Sequence, residues 1–267
     1  MSSPSFAPIY TAANIRCAFQ LNWSLSVFWH DAGPGVGWLP ELMQLSESAG
    51  MRILQHRLAT ETCSQFLIST RPPMRPVEIP KGVKGRLQKL VRRDRRNALQ
   101  RNYHLQSLGS TQRQKIEHYV AGQLQHHADD DELNVDQILA DLQIVNPEVD
   151  LGRQRFTSHA RYRCNLHLVV RLLPQHSSSD PEQWHRIRRA IRVTADRHQH
   201  LLSRAGLLSD HVHLVLGINM DQSPLDVVLP YMNNIAWLFD MQSVLRHSCF
   251  LGTVGESDLG AISRRTD

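Results

Sequence analysis

Two imidazoles stand two residues apart in Ser209-Asp210-His211-Val212-His213-Leu214. The apolar run that begins at His211 and ends at Leu216 reads as a β-strand, and residues i and i+2 of a strand share a face. His211 and His213 can therefore offer two neutral ring nitrogens side by side. That suits a divalent metal whose remaining positions are filled by water or substrate oxygens. A histidine-triad nucleotide hydrolase would need a third alternating histidine, and position 215 is Val. A chain with 15 histidines also carries such pairs as ordinary strand residues.

The second chemical signal is Tyr119 with Gln123, four residues apart in Thr111 to Gln125. On a helix they lie one turn apart on one face. A tyrosine can act as a covalent nucleophile, but its phenol has a pKa of about 10 and needs a polarised substrate to attack. The plain alternative is an exposed tyrosine on an amphipathic helix. Tyr231, 18 residues after His213, is the rival nucleophile, but Ile235 rather than glutamine stands four residues beyond it. His126 and His127 adjoin the Tyr119 helix and read as solvent-facing, and His167 as a packed or surface residue of its strand. Cys17, Cys63, Cys164 and Cys249 are scattered with no C-x-x-C pair, which argues against a zinc site or a disulfide framework and for a reducing cytoplasm.

Charge narrows the partner. The 267 residues carry 30 Lys+Arg against 25 Asp+Glu, a net charge of +5. Nine basic residues and one acid, Asp94, fall between Lys81 and Arg101. Such a cluster is either a solvated helix face or a binding surface for a phosphate backbone. No run of about 18 apolar residues is present to span a membrane, and Met1 to Tyr10 does not read as a secretory signal.

The elements that must position these residues follow from pattern. Residues 17–29 read as a strand, 38–49 as a helix stopped by Gly50, 52–58 and 63–69 as strands. After four prolines, 81–100 read as a basic helix and 111–125 as another, with Thr111 as N-cap. Residues 126–158, opening on an acidic run, read as a linker. The order then repeats: strand 162–172, amphipathic helix 182–198, strands 201–207 and 211–216, helix 224–245. Asn22 to Val27 aligns with Asn165 to Val170, 143 residues on; Cys63 to Leu67 aligns with His211 to Val215, 148 on; Tyr103 to Gly109 aligns with Cys249 to Gly255, 146 on. Offsets this close suggest a tandem duplication, with a first domain at 1–125, a linker at 126–158 and a second domain at 159–267.

With these residues in place, the chain resembles the single-tyrosine transposases of small bacterial insertion sequences, in the HUH (histidine-hydrophobic-histidine) endonuclease superfamily. Asp210 to Leu214 is similar to that family's metal strand. Lys84-Gly85-Arg86-Leu87 is similar to the Lys-Gly segment opening its next helix. Ser107-Leu108-Gly109 followed by Tyr119 to Gln123 is similar to its T-V-G turn and Y-x-x-x-Q helix, and Thr253-Val254-Gly255 repeats the turn. The first copy has Cys63 and Gln65 where the histidines belong; the second ends without a tyrosine helix. The family's dimers have composite active sites. The resemblance thus implies a fused pseudo-dimer of α+β class: two ferredoxin- or RRM-like domains, each an antiparallel sheet with helices on it. One composite site would survive, with Tyr119 as nucleophile and His211, His213 and Gln123 binding Mg²⁺ or Mn²⁺. Lys84, Arg86, Lys89, Arg92 and Arg93 would hold single-stranded or hairpin DNA. The implied activity is a single-stranded DNA endonuclease and strand transferase with a 5′-phosphotyrosine intermediate; the alternatives are a catalytically inactive DNA-hairpin binder and an unrelated metal-dependent phosphoesterase. Two fused chains could pair further to process two DNA ends.

Overall fold

The computed structural model describes residues 7–92, 95–110, 112–122, 141–176 and 181–256. The first half runs β1 (Arg16–Gln20), β2 (Asn22–Trp29), α1 (Leu39–Glu47), β3 (Met51–Thr60), β4 (Cys63–Thr70), α2 (Glu78–Val91), β5 (Leu99–Leu108) and α3 (Arg113–Gly122). Short strands β6 (Ile144–Val145) and β7 (Arg155–Phe156) follow. The second half runs β8 (Ala160–Arg163), β9 (Asn165–Leu172), α4 (Pro181–Arg197), β10 (Leu201–Leu207), β11 (His211–Gly217), α5 (Pro224–Trp237) and β12 (Leu245–Val254).

Two six-stranded sheets result, ordered β3-β4-β2-β5-β8-β7 and β6-β10-β11-β9-β12-β1. In each, four strands and two helices of one half make a β-α-β-β-α-β unit. Each unit has a helix-covered face set by alternation along its central strand. Trp23, Leu25, Val27 and Trp29 of β2 are buried with Ile79, Val83 and Leu87 of α2, spaced by four. Leu166, Leu168 and Val170 of β9 are buried with Trp184, Ile187 and Ile191 of α4. Each such side chain contributes about 1.5–3 kcal/mol on burial.

The halves exchange strands. Residues 17–29 do not form one strand: β1 and β2 are separated by the buried Leu21, and β1 crosses to the second sheet, pairing parallel with β12 (Cys17 opposite Cys249). Reciprocally, β8 is separated from β9 by Cys164 and crosses to the first sheet, pairing parallel with β5 (Tyr103 opposite Ala160). These pairs make both sheets mixed rather than antiparallel. They join segments with no hairpin between them, so nothing requires the antiparallel direction. Part of the segment read as a linker also enters the sheets, β7 pairing with β8 and β6 with β10.

The exchange closes around a pseudo-two-fold axis through the two similar turns. Ser107 Oγ donates to the Val254 carbonyl at 2.6 Å and accepts from Asn165 N at 3.0 Å. Thr253 Oγ1 donates to the Leu108 carbonyl at 2.5 Å and accepts from Asn22 N at 2.8 Å. A Cβ on Gly255 would collide with the Ser107 carbonyl oxygen, so the close approach of the two turns requires glycine there.

Helix bounds shift from the expected ones for local reasons. α2 begins at Glu78 with Pro80 in its first turn, where a missing N–H costs nothing, and ends at Val91 rather than residue 100. α5 opens on a Ser223–Asp226 capping box and ends at Trp237, followed by Asp240 and Met241 at positive φ. Thr111 lies outside the described residues. No described helix is long and apolar enough to cross a membrane.

Candidate composite active site

α3 belongs to the first half by sequence but packs on the second sheet, against β10 and β11, on the face opposite α4 and α5. The reason lies in one small apolar cluster. His211, His213 and Val215 share a face of β11, and Val215 packs with Ile116 and Val120 of α3, with Leu151 and with Val254. A polar clamp adds direction. Arg113 Nη1 donates to Glu117 Oε2 at 2.6 Å, Arg113 Nε to Glu256 Oε1 at 2.5 Å, and Ser203 Oγ of β10 to Glu117 Oε1 at 2.5 Å. Glu117 is only 8% exposed, so it is buried with its charge compensated.

These anchors bring Tyr119 beside the histidine pair of β11. Its ring lies edge-on to His213 with centroids 6.1 Å apart, and the side chain is 52% exposed. Tyr119, His211 and His213 line a cleft of about 610 Å³ together with Arg16, Cys17 and Ala18 of β1, Val169 and Arg171 of β9, and Ser248 to Phe250 of β12. No acid lines it. Arg171 is the direct cross-strand neighbour of His211.

The His211 and His213 rings are 4.8 Å apart. Each has a partner on Nδ1: Asp210 Oδ1 for His211, and His167 Nε2 at 2.9 Å for His213. Burial, with positive neighbours, pushes His213 down to about 3, and burial pushes His167 down to about 4. His213 is thus held as a neutral imidazole, and a hydrogen bond on one ring nitrogen orients the other, as metal-ligating histidines require. The donor set fits a divalent cation. Among the described residues no group of three or more His, Cys, Asp or Glu could by itself hold a metal. Gln123, the expected third ligand, lies outside the described residues.

On the equivalent strand of the first half the corresponding side chain is engaged by its neighbours. Gln65 accepts from Arg57 Nε at 2.8 Å and donates to Ser24 Oγ at 2.7 Å. By position in their strands, Gln65 replaces His213 and Ser24 replaces His167. Burial pushes the Cys63 thiol up, against a hydrogen bond with Ser26.

Tyr231 is removed as a nucleophile. It is 1% exposed, its hydroxyl lies 3.0 Å from His200 Nδ1, and burial pushes its pKa far up. Of the expected DNA-binding residues, Lys84 is half-buried and donates to the carbonyls of Gln100 and Arg101 at 2.5 and 2.7 Å, so the chain itself engages its ammonium. Arg86 is partly exposed, Lys89 and Arg92 are exposed, and Arg93 lies outside the described residues, as do His126 and His127. α2 covers the helix face of the first sheet, so these cations do not border the Tyr119 cleft.

Sequence reasoning missed His167, Arg171 and the Cys17–Cys249 pair. His167 and His213 are diagonal neighbours on adjacent strands, since His213 faces Val169 and His167 faces Val215. Alternation in Asn165 to Arg171 put His167, Val169 and Arg171 on one face; only the pairing register put that face beside His213. Cys17 and Cys249 lie opposite one another with sulfurs 3.2 Å apart.

No protein-family profile matches this chain, and no curated protein does. Among solved structures it is similar to a protein assigned as a glycine cleavage system transcriptional repressor, at 11% identity and a TM-score of 0.21, covering 88% of this chain and 98% of that one. Overlap that loose bears on neither fold nor function.

Proposed function

We propose that this chain is a metal-dependent single-stranded DNA endonuclease and strand transferase with a tyrosine nucleophile, working at one site shared by its two halves. One observation carries the reading: Tyr119 of the first half stands 6.1 Å, ring to ring, from His213 of the second, in an open cleft whose described lining includes two arginines and no acid.

His211, His213 and Gln123 would hold Mg²⁺ or Mn²⁺. Such an ion, when bound, supplies Lewis-acid stabilisation of the charge that develops on the scissile phosphate. The protein groups do the rest. His167 and Asp210 hold the two imidazoles in place. Arg171 and Arg16 draw the phosphate into the cleft and offset its charge. Val120 and Glu117 fix the helix so that the Tyr119 hydroxyl reaches phosphorus. The Tyr119 phenol oxygen forms the new P–O bond as its proton leaves to solvent. The bond to the 3′ oxygen breaks, and that oxygen takes up a proton. The products are a 5′-phosphotyrosine and a free 3′-hydroxyl, and attack by a 3′-hydroxyl on the phosphotyrosine reverses the step. The reading includes a cytoplasmic location and pairing of two chains when two ends are processed.

The hairpin-binder alternative draws on the exposed cations of α2, which lie away from the cleft. A covalent-adduct assay separates the two. The protein is incubated with hairpin-bearing single-stranded DNAs and Mn²⁺, and adducts are located on denaturing gels and by peptide mass. The expected result is an adduct on Tyr119, absent in Tyr119→Phe and with EDTA. Binding of hairpins with no adduct across a broad panel, or an adduct on another residue, would overturn the composite-site nuclease.

A further inference from the structure

The Tyr119 cleft has a counterpart across the pseudo-two-fold axis. β1, β9 and β12 supply part of the lining of the first cleft, beside His211 and His213 of β11 and Tyr119 of α3; their equivalents β8, β2 and β5, with Phe156 of β7 and the turn after it, line a second cleft of about 370 Å³. In place of Arg171, Cys249 and Cys17 stand Phe28, Tyr103 and Ala160. Gln65 and Ser24, at the strand positions of His213 and His167, are hydrogen-bonded to one another and, with Arg57, border a separate small pocket. The cleft itself has stayed open, and its contents differ in kind. Phe28 and His104 meet edge to face at 4.9 Å on the floor. On the rim, Phe156 of β7 is 65% exposed, with the Arg161 guanidinium 5.8 Å from its ring centroid. Asn102 adds an amide. Among the described residues no acid lines this cleft either.

An exposed aromatic ring beside a guanidinium, over an open polar floor with no negative charge, is what an unpaired base and its phosphate need. The ring stacks the base, whichever base it is, and the cation meets the backbone. We propose that this second cleft is a non-cleaving subsite for single-stranded DNA, in which a base stacks on Phe156 and the adjoining phosphate pairs with Arg161. The choice of DNA strand as ligand rests on the function proposed above. The first cleft would cut a strand and the second would only hold one, giving the fused chain two strand sites and one chemistry.

The probe is a 20-nucleotide oligothymidine, with and without 5-iodouracil. Affinity is measured by fluorescence anisotropy on the full-length chain, and photocrosslinks are mapped by peptide mass. Phe156→Ala should weaken binding about tenfold, Phe156→Tyr should restore it, and crosslinks should include Phe156. Because Phe156 is exposed, the thermal melt of Phe156→Ala should match the parent, and Tyr119 adduct yield at saturating DNA should be unchanged. Equal affinities for the parent and Phe156→Ala, with crosslinks confined to the Tyr119 cleft, would overturn the subsite and leave the nuclease standing. Crosslinks at Phe156 without any Tyr119 adduct would leave the subsite standing and remove the nuclease. An oligothymidine that does not bind the parent chain at all would remove the subsite.

Discussion

The two clefts share three pairs of equivalent strands, but β11 and α3 complete the first and β7 the second. His213–His167 in the second half is Gln65–Ser24 in the first, and both pairs are hydrogen-bonded across the same two strand positions. The first pair holds an imidazole ready for a cation. In the second, Arg57 already supplies a permanent cation to the Gln65 carbonyl oxygen. Strand pairing preserves the shape of a cleft whether or not its chemistry remains. The chemistry hangs on which donor stands on one face of one strand, and on which half lends the helix.

The largest expected effect breaks that comparison directly. His213→Ala should lower Tyr119 adduct formation by about 10²–10³, the usual cost of removing one source of charge stabilisation. His167→Ala should raise the Mn²⁺ concentration needed by about 10- to 100-fold, as loss of a supporting hydrogen bond does. Gln65→Ala and Ser24→Ala, at the equivalent positions, should leave both quantities unchanged. Adduct yield against Mn²⁺ concentration reads all four. Equal losses from the His213 and Gln65 changes would mean that the two strands are not functionally distinct.

Much of this was legible in the sequence, for reasons that also mark where legibility stopped. The strong strands and the helices announced themselves by period, because each buries one face. The duplication was readable because Asn22 and Asn165 open equivalent strands and Ser107 and Thr253 close equivalent ones. β5 was read only as a repeat, since Gln100 to Gln106 is polar on the open face and alternates weakly. The strand exchange could not be read at all. Nothing in Arg16 to Trp29 says that the chain changes sheets at Leu21, because both strands suit a pleated surface. The consequence is that the facing of Cys17 with Cys249 has no sign in the sequence, while the closeness of His167 to His213 depends on the register of β9 with β11. Tyr119 and the histidine pair stand out in the sequence because their residue types are chemical in themselves. Phe156 and Arg161 were not, because an exposed phenylalanine in a polar loop has no signature until the fold shows what lies beside it.

A smaller effect sharpens the contrast between the seams. The Tyr119 cleft has Cys17 facing Cys249, where the other cleft has Ala160 facing Tyr103. The Cys249 thiol donates to Cys17 sulfur, which lowers the Cys17 pKa. With glutathione disulfide as oxidant, the two thiols should lose two protons and two electrons to form one disulfide, releasing two glutathione thiols. Intact-mass measurement should show the loss of two hydrogens, and peptide mapping should show Cys17 joined to Cys249. Resistance to denaturant should rise by about 2–4 kcal/mol, and Cys17→Ser should abolish the gain. A mixed glutathione adduct that persists on either cysteine would show that the pair cannot close.

The smallest effect concerns stability and again falls on one half. Equivalent strands β3 and β10 are preceded by Gly50 and His200, and the eighth residues of equivalent helices α2 and α5 are Gly85 and Tyr231. The second half therefore buries a His200–Tyr231 pair that the first half replaces with glycines. Burial, reinforced by His198, pushes His200 down to about 4, against about 6.5 in an unfolded chain. Its Nε2 is buried without a partner, so a proton there would be unsatisfied. Between those two pKa values the unfolded state binds the extra proton and the folded state does not. The contribution of His200 is thus complete above about pH 6.5 and is lost as pH falls towards 4. Denaturant melts at pH 7.5, 6.5, 5 and 4 should show His200→Gln losing less stability over that interval than the parent, by about 1–3 kcal/mol. His56 and His104 of the first half are also pushed down by burial, but they sit at partly exposed positions, so His56→Gln should alter the slope less. An unchanged slope in His200→Gln would mean that acid sensitivity does not reside in this buried pair, and the contrast between the two helix layers would lose its energetic content.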